Sequence, residues 1–288
     1  MLKRFFVYFQ SLLPQHALSV CLGNLADCRQ KQLKNWLIRQ FIKTYRVDLS
    51  EALINDPTAF PTFNDFFIRQ LKPGVRPVSG GPNDIVSPAD GTIADAGHIA
   101  ENQLLQAKNS YFNLDTLFGN DTESAELFYN GDYATIYLAP NNYHRVHVPL
   151  DAKLIKTIYI PGKLFSVNRM TTDLIPNLYA RNERLIALFE TSFGPMAVIM
   201  VGALIVGSMQ PVWMQKPIRG KKIMSEKTTA VDFKKGDELG YFKLGSTVIL
   251  LFPNHAATWI PALKTGTRVQ VGQIVGKMAA GNFPLSKE

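Results

Sequence analysis

The hydrophobic pattern of the chain changes character near residue 72. Up to about Leu71 the apolar residues follow helical spacing, most clearly in residues 33–46, where apolar and basic residues separate onto two halves of a helical wheel. The apolar half holds Leu33, Leu37, Ile38, Phe41, Ile42 and Tyr45, and the basic half holds Arg39, Lys43 and Arg46. Lys34 falls on the apolar half. The pattern predicts an amphipathic helix, and the aromatic-rich stretch FPTFNDFFIRQL at 60–71 predicts a short helix after Pro61.

Beyond residue 84 the apolar residues occur in short runs separated by turns rich in Gly and Asn, which is typical of strands. The predicted strands are Val86–Ala94, Ala134–Leu138, Val146–Val148, Leu154–Ile160, Leu185–Phe189, Ala197–Val206, Thr247–Phe252 and Val269–Val275. Between the two patterns lies KPGVRPVSGGPND, residues 72–84, with three prolines and three glycines. We therefore predict an α+β protein with a helical region at 1–71, a linker at 72–84 and a β-rich domain at 85–288. The domain should be mostly antiparallel and sandwich-like or barrel-like.

Charge is concentrated at the N-terminal end of the chain. The formal net charge is +8, and residues 1–50 supply eight Lys and Arg against two Asp. A basic end of this kind suits nucleic acid or an anionic membrane. Bulky apolar neighbours favour the membrane over nucleic acid: Phe5, Phe6, Val7, Tyr8, Phe9, Leu12 and Leu13.

The amphipathic helix has a simpler interpretation as a surface helix that packs on the protein's own core. The longest apolar run, Met196–Gly207, is far shorter than the ~20 residues that a membrane-spanning helix needs. We expect a peripheral protein on the cytoplasmic face of the cell (inner) membrane.

Three stretches carry residues that could do chemistry. They are SPADGTI with Asp90, PNNYHRVHVP with His144 and His147, and YFKLGSTVILLF with Gly245 and Ser246. Asp-Gly and Gly-Ser-Thr are also ordinary turn sequences. Asp, His and Ser together are the parts of an activated nucleophile, in which a base takes the serine proton and a carboxylate orients the base. The two histidines lack the further ligands of a metal site, so we expect no metal.

Several stretches together resemble the phosphatidylserine decarboxylases, in the same order and over nearly the whole chain. They are FNDFFIRQLKPGVRP (63–77), SPADG (87–91), YHRVHVP (143–149), GKLFSVN (162–168), PNLYARNERL (176–185) and GDELGYFKLGST (236–247). The last contains the Leu-Gly-Ser-Thr motif of that family.

The resemblance implies that the chain cuts itself between Gly245 and Ser246. His147 would act as the base, Asp90 would orient it, and Ser246 would become a pyruvoyl group. The fragments 1–245 and 246–288 would stay together because 248–252 forms a core strand. The pyruvoyl group would form a Schiff base with phosphatidylserine and so replace pyridoxal phosphate as the electron sink. The product would be phosphatidylethanolamine.

His144 is the candidate for protonating the carbanion or handling the carboxylate during decarboxylation. In a regular strand His144 and His147 point to opposite faces, so both can approach Ser246 only if His144 precedes the strand or a bulge intervenes. Two other functions remain open at this point: a membrane-bound serine hydrolase and a non-catalytic lipid-binding protein. A homodimer also remains open.

Overall fold

The computed structural model describes residues 10, 14–107, 110–203, 209–218, 220, 222–242 and 246–279. Gly245 and the apolar residues 5–9, 12 and 13 therefore lie outside the described residues, as does the end of the strand predicted at Ala197–Val206. The helices are α1 (Gln15–Ala26), α2 (Lys31–Tyr45), α3 (Phe63–Phe67), α4 (Leu114–Leu117), α5 (Thr122–Glu126), α6 (Arg169–Thr172) and α7 (Leu178–Arg181).

Helix α2 confirms the predicted amphipathic helix. It begins after Gln30, whose side chain accepts a hydrogen bond from Leu33 N, and ends at Arg46 in the left-handed conformation. Lys34 is buried, and its Nζ donates to Thr58 O at 2.9 Å and to Asn35 Oδ1 at 2.7 Å. These two bonds explain why a lysine occurs on the apolar side of the helix.

The short helix after Pro61 is confirmed as α3. Thr62 starts it by accepting from Asp65 N at 3.0 Å and donating to Asp65 Oδ2 at 2.8 Å. Its rings pack with Phe41 of α2 in an aromatic cluster whose ring centroids lie 5.2–6.3 Å apart. The members of this aromatic cluster are Phe41, Phe60, Phe63, Phe66 and Phe67. The apolar face of α2 is therefore packed on the protein's own core, as in the simpler interpretation of that helix.

The rest of the described chain is dominated by strands. They are β1 (Asp84–Val86), β2 (Gly91–His98), β3 (Gln103–Ala107), β4 (Ser110–Asn113), β5 (Asp132–Leu138), β6 (Arg145–His147), β7 (Ala152–Ile160), β8 (Arg184–Thr191), β9 (Gly194–Val201), β10 (Met209–Pro211), β11 (Met224–Phe233), β12 (Glu238–Phe242), β13 (Ser246–Phe252), β14 (Ala257–Trp259), β15 (Arg268–Val269) and β16 (Ile274–Met278). Two predicted strands are wrong as single elements. Val86–Ala94 is broken into β1 and β2 at 87–90, and Val269–Val275 is broken between β15 and β16.

The largest sheet has the strand order β11-β7-β8-β9-β13-β5-β2-β15. A three-stranded sheet, β10-β12-β6, lies beside it, and smaller sheets pair β1-β16-β14 and β3-β4. Every strand pair in these sheets is antiparallel. The α+β, mostly antiparallel prediction is confirmed. The largest sheet stays open between β11 and β15 in the described part of the chain, so the barrel-like variant of that prediction is not observed.

Strand β13 lies inside the largest sheet and is buried along its whole length. It pairs with β5 on one side and β9 on the other, and Val248–Phe252 are fully buried. Burial on both faces explains why residues 248–252 are all apolar and do not alternate with polar residues.

Two separate clusters of buried apolar residues form, one within 26–67 and one within 85–278. The segment between them contacts both, because Arg76 bonds to Glu51 on one side and Asp90 on the other. The boundaries at 71 and 84 stay predictions. Among the described residues no helix combines the length and apolar character needed to cross a bilayer.

Gly91 is required by close packing of β2 against β5. A Cβ at this position would lie 2.5 Å from Tyr137 O and 2.8 Å from Ile136 Cγ2. We expect Gly91→Ala to lower the free energy of unfolding by roughly 1–3 kcal/mol, because the strands must separate to admit the methyl group. Gly97→Ala on the same strand is the matched control, since its Cβ would meet nothing closer than Tyr133 Cε1 at 3.8 Å. Denaturant unfolding of both variants measures the difference, and equal stabilities would contradict the steric account.

Candidate active site

Ser246 is the first residue of β13 and lies opposite Leu138, the last residue of β5. It is fully buried, and its Oγ has no hydrogen-bond partner among the described residues. A buried hydroxyl without a partner is unfavourable. The position is therefore unusual for a residue whose only role is structural.

Ser246 and His144 lie on two chain connections between the same pair of sheets. One leads from Leu138 at the end of β5 to His144, just before β6. The other leads from Phe242 at the end of β12 to Ser246. The two connections are joined at both ends, because Leu138 pairs with Ser246 and Phe242 N donates to His144 O at 3.1 Å. Both residues therefore lie at one junction, which we call the sheet junction.

His144 lies one residue before β6, so the alternation of a strand does not force it away from His147. Its Nδ1 donates to Asn142 O at 2.9 Å, and its ring lies 4.1 Å from the Phe67 ring between centroids. Burial, assisted by the positive charge of Arg69, lowers the pKa of His144 to about 3. The ring is therefore neutral at pH 7, and in the described part of the chain its buried Nε2 has no hydrogen-bond partner.

His147 is also held as a neutral ring. Its Nδ1 donates to Gly236 O at 2.8 Å, so Nε2 carries the lone pair and accepts from the Tyr143 hydroxyl at 3.1 Å. Burial lowers the pKa of His147 and raises the pKa of Tyr143, which keeps the tyrosine protonated as the donor. His147 thus has one basic nitrogen, Nε2, and in this structure the Tyr143 hydroxyl donates a hydrogen bond to it.

Asp90 lies in the 87–90 segment between β1 and β2, next to β6. His147 N donates to Pro88 O at 2.7 Å, which holds that segment against the strand. The Asp90 carboxylate accepts from Arg76 Nη2 at 2.7 Å, from Arg76 Nε at 3.1 and 3.2 Å, and from Val271 N at 2.9 Å. No hydrogen bond between described residues joins Asp90 to His147, or His147 to Ser246. The roles predicted for these residues and for His144 stay predictions.

A cavity of about 510 Å³, rich in charge, is lined by Asp90 and Tyr143 but not by Ser246, His144 or His147. Four arginines and three acids line it: Arg46, Arg69, Arg76, Arg268, Asp48, Glu51 and Asp90. Sequence reasoning missed Arg69, Arg76 and Tyr143 as parts of the site. All three lie in stretches that carry the family resemblance (63–77 and 143–149).

Within the described parts of the chain, no group of three or more His, Cys, Asp or Glu side chains is arranged to hold a metal ion. A metal-free reaction stays a prediction.

Comparison with known proteins gives matches along most of the chain. Residues 63–277 match the family model described as phosphatidylserine decarboxylase, and residues 5–46 match a second one described as PSD. A protein of Legionella pneumophila (strain Lens) named phosphatidylserine decarboxylase proenzyme is 47% identical over 269 residues, covering 92% of this chain and 94% of the relative. A protein of the same name from Ectopseudomonas mendocina (strain ymp) is 45% identical over 282 residues, covering 96% and 99%. The predicted resemblance is confirmed, and this chain belongs to the phosphatidylserine decarboxylase family.

Proposed function

We propose that this protein converts phosphatidylserine to phosphatidylethanolamine with a pyruvoyl group that it makes from Ser246. The observation that carries the proposal is the Ser246 hydroxyl at the sheet junction, which is buried and has no hydrogen-bond partner among the described residues. The relatives' name, proenzyme, supports a chain that must be processed before it acts.

The maturation step begins with attack of Ser246 Oγ on the Gly245 carbonyl carbon, which exchanges the peptide bond for an ester and frees the Ser246 nitrogen. Loss of the Ser246 α-proton then breaks the bond between Cβ and the ester oxygen. The fragment 1–245 then ends in a free carboxylate, and residue 246 becomes dehydroalanine. Addition of water and loss of ammonia convert dehydroalanine to the pyruvoyl group.

His147 is the proposed base for this step, because its neutral ring has a lone pair on Nε2. To act on Ser246, His147 Nε2 must give up its hydrogen bond from the Tyr143 hydroxyl and accept one from the serine hydroxyl. Its Nδ1 proton is held by Gly236 O, and the Asp90 carboxylate is held by Arg76. For Asp90 to orient His147 directly, the His147 Nδ1–H group would have to leave Gly236 O, and the Asp90 carboxylate would have to leave Arg76.

The site fits a carbonyl group at position 246. A pyruvoyl carbonyl there supplies an electron sink for the electron pair left when CO₂ departs. It also removes the serine hydroxyl, whose hydrogen-bonding capacity is unmet in the buried site. Within 246–288, residues 247–252 keep their ladders to β5 and β9, which supports continued association of the two fragments.

His144 is proposed to act in turnover. Its uncharged ring lies against the apolar Phe67 ring. Neither ring offers a positive charge to a carboxylate, so both favour its conversion to neutral CO₂. The unpartnered Nε2 is also the atom that would exchange a proton with the product carbon.

The membrane contact is proposed to involve the exposed face of α2, because its apolar face is packed on the aromatic cluster. That exposed face carries Trp36, which is 58% exposed, together with Arg39 and Lys43. An aromatic ring flanked by cations suits the interface of an anionic bilayer. We place the protein on the cytoplasmic face of the inner membrane as part of this proposal.

Variants of the four site residues separate maturation from turnover. Ser246→Ala has no nucleophile, so the chain should stay whole and inactive. Asp90→Asn should slow cutting because it removes the carboxylate proposed to orient the base, and His147→Ala should slow it because it removes the base. His144→Ala should cut normally and then turn over phosphatidylserine ~10²–10⁴ times more slowly, as for a lost acid–base group. Denaturing gels and activity assays on the same preparations measure both steps.

The matched control is His98→Ala, since His98 is exposed at the end of β2. It should cut and turn over like the wild type. Fragments from Ser246→Ala would refute cleavage at this serine. An uncut His144→Ala chain together with normal cutting by His147→Ala would show that the two roles are reversed.

The membrane proposal is tested with two double variants, each of which replaces one exposed aromatic residue by alanine and one exposed lysine by glutamine. Trp36→Ala with Lys43→Gln should weaken binding to vesicles of phosphatidylglycerol and phosphatidylcholine by about tenfold or more, because an interfacial ring and a cation are both removed. Tyr111→Ala with Lys153→Gln is the control, since both residues are exposed elsewhere in the chain. Sedimentation with vesicles measures the bound fraction, and equal losses in the two double variants would refute contact through α2.

A further inference from the structure

Arg69 is a buried cation that the proposed chemistry does not use. It is 5% exposed and lies just after α3. Its Nη2 donates to Asn141 O at 3.0 Å and to Asn142 O at 3.3 Å, whereas Nε and Nη1 are buried and bond to none of the residues that the structure describes. Leaving two donors of a buried guanidinium unpaired is costly, so this side chain is suited to an anionic ligand.

The cavity beside Arg69 has an excess of positive charge. Of the four arginines that line it, Arg76 pairs with Glu51 and Asp90. Asp48 accepts from Ser50 N at 2.8 Å. In the described structure Arg46, Arg69 and Arg268 form no ion pair within 4.0 Å. The cavity is therefore suited to binding an anion from outside the protein.

Arg69 is also close to the sheet junction. Its charge contributes to the lowered pKa of His144, and it holds the carbonyls of the connection that carries His144. An anion bound at Arg69 would lie near the groups that act on position 246.

We propose that the Arg69 guanidinium, which lines this cavity, binds the phosphodiester group of the phospholipid substrate. This assignment rests on the proposed function for the identity of the substrate. A guanidinium suits a phosphate because its positive charge strengthens the hydrogen bonds that its N–H groups donate to phosphate oxygens. The cavity volume lies in the range of small-molecule sites, so it can hold a head group.

The phosphate is favoured over the carboxylate for a physical reason. The carboxylate leaves as neutral CO₂, so a cation bound to it would stabilise the substrate more than the transition state and would slow the reaction. The phosphate keeps its charge from substrate to product. A cation there improves binding without opposing the chemical step.

The test measures binding directly and does not need turnover. Calorimetry compares glycerophosphoethanolamine, which has the phosphodiester but no carboxylate, with ethanolamine, which has neither. The wild-type protein should bind the first and not the second. Arg69→Gln should weaken that binding by about 10- to 100-fold, the loss expected for a charge-assisted hydrogen bond. Arg29→Gln, an exposed arginine outside the cavity, is the control and should bind like the wild type.

Kinetics on phosphatidylserine in mixed micelles provide the second readout. Loss of binding shared by substrate and transition state raises KM and leaves kcat nearly unchanged, and we expect this pattern for Arg69→Gln. A fall in kcat with unchanged KM would overturn the proposal and assign Arg69 to the chemical step. Loss of self-cleavage with unchanged affinity for glycerophosphoethanolamine would overturn it in favour of a structural role.

The wild-type comparison remains decisive even if Arg69→Gln fails to fold. Equal binding of glycerophosphoethanolamine and ethanolamine would overturn the phosphodiester site. Binding of glycerophosphoethanolamine by a protein that forms no phosphatidylethanolamine would support the site and refute the proposed function.

Discussion

The pairing of β13 with both β5 and β9 is the constraint on which the site depends. It fixes Ser246 opposite Leu138, where the chain leaves the largest sheet. The connection that follows Leu138 carries Asn142, Tyr143 and His144, and it is joined to the end of β12 through Phe242. The serine at the start of this fully buried strand is thus held by the ladder to β5. The same ladders give residues 247–251 partners on both sides, independent of the peptide bond before Ser246.

The helical region contributes directly to this site. Phe67 contacts the His144 ring, Ile68 O accepts from Arg145 Nε at 2.9 Å, and Arg69 holds the 141–142 carbonyls. Glu51 shares Arg76 with Asp90. A region expected to serve for membrane contact therefore also packs against the residues proposed for chemistry. Contact between α2 and a bilayer would place the arginine-lined cavity, which includes residues just after α2, close to the head groups.

Sequence periodicity predicted the elements whose environment is uniform along their length. Helix α2 has one face on the aromatic cluster, and β13 is buried on both faces, so each shows a regular pattern. Periodicity failed where local contacts interrupt an element. The run from Val86 is broken because the 87–90 segment bonds to Val271 N and His147 N instead of continuing a strand.

The candidate site was predictable only in part for a similar reason. Asp90, His144, His147 and Ser246 came from residue type and motif resemblance, which require no knowledge of contacts. Arg69 and Arg76 matter through burial and through pairing with residues far along the chain, and neither property is visible in the local sequence. Lys34 shows the same limit, because its partner Thr58 O belongs to a loop that no pattern assigns to it.

Conversion of Ser246 to a pyruvoyl group is tested most directly by the intact masses of the denatured wild-type protein. Self-cleavage predicts two fragments, with the smaller spanning 246–288 and lighter than the serine-started peptide by the mass of one ammonia. Treatment with borohydride should add two hydrogens to that fragment, as expected for a ketone. One intact chain that nevertheless decarboxylates phosphatidylserine, or a smaller fragment that begins with an unmodified serine, would contradict the mechanism.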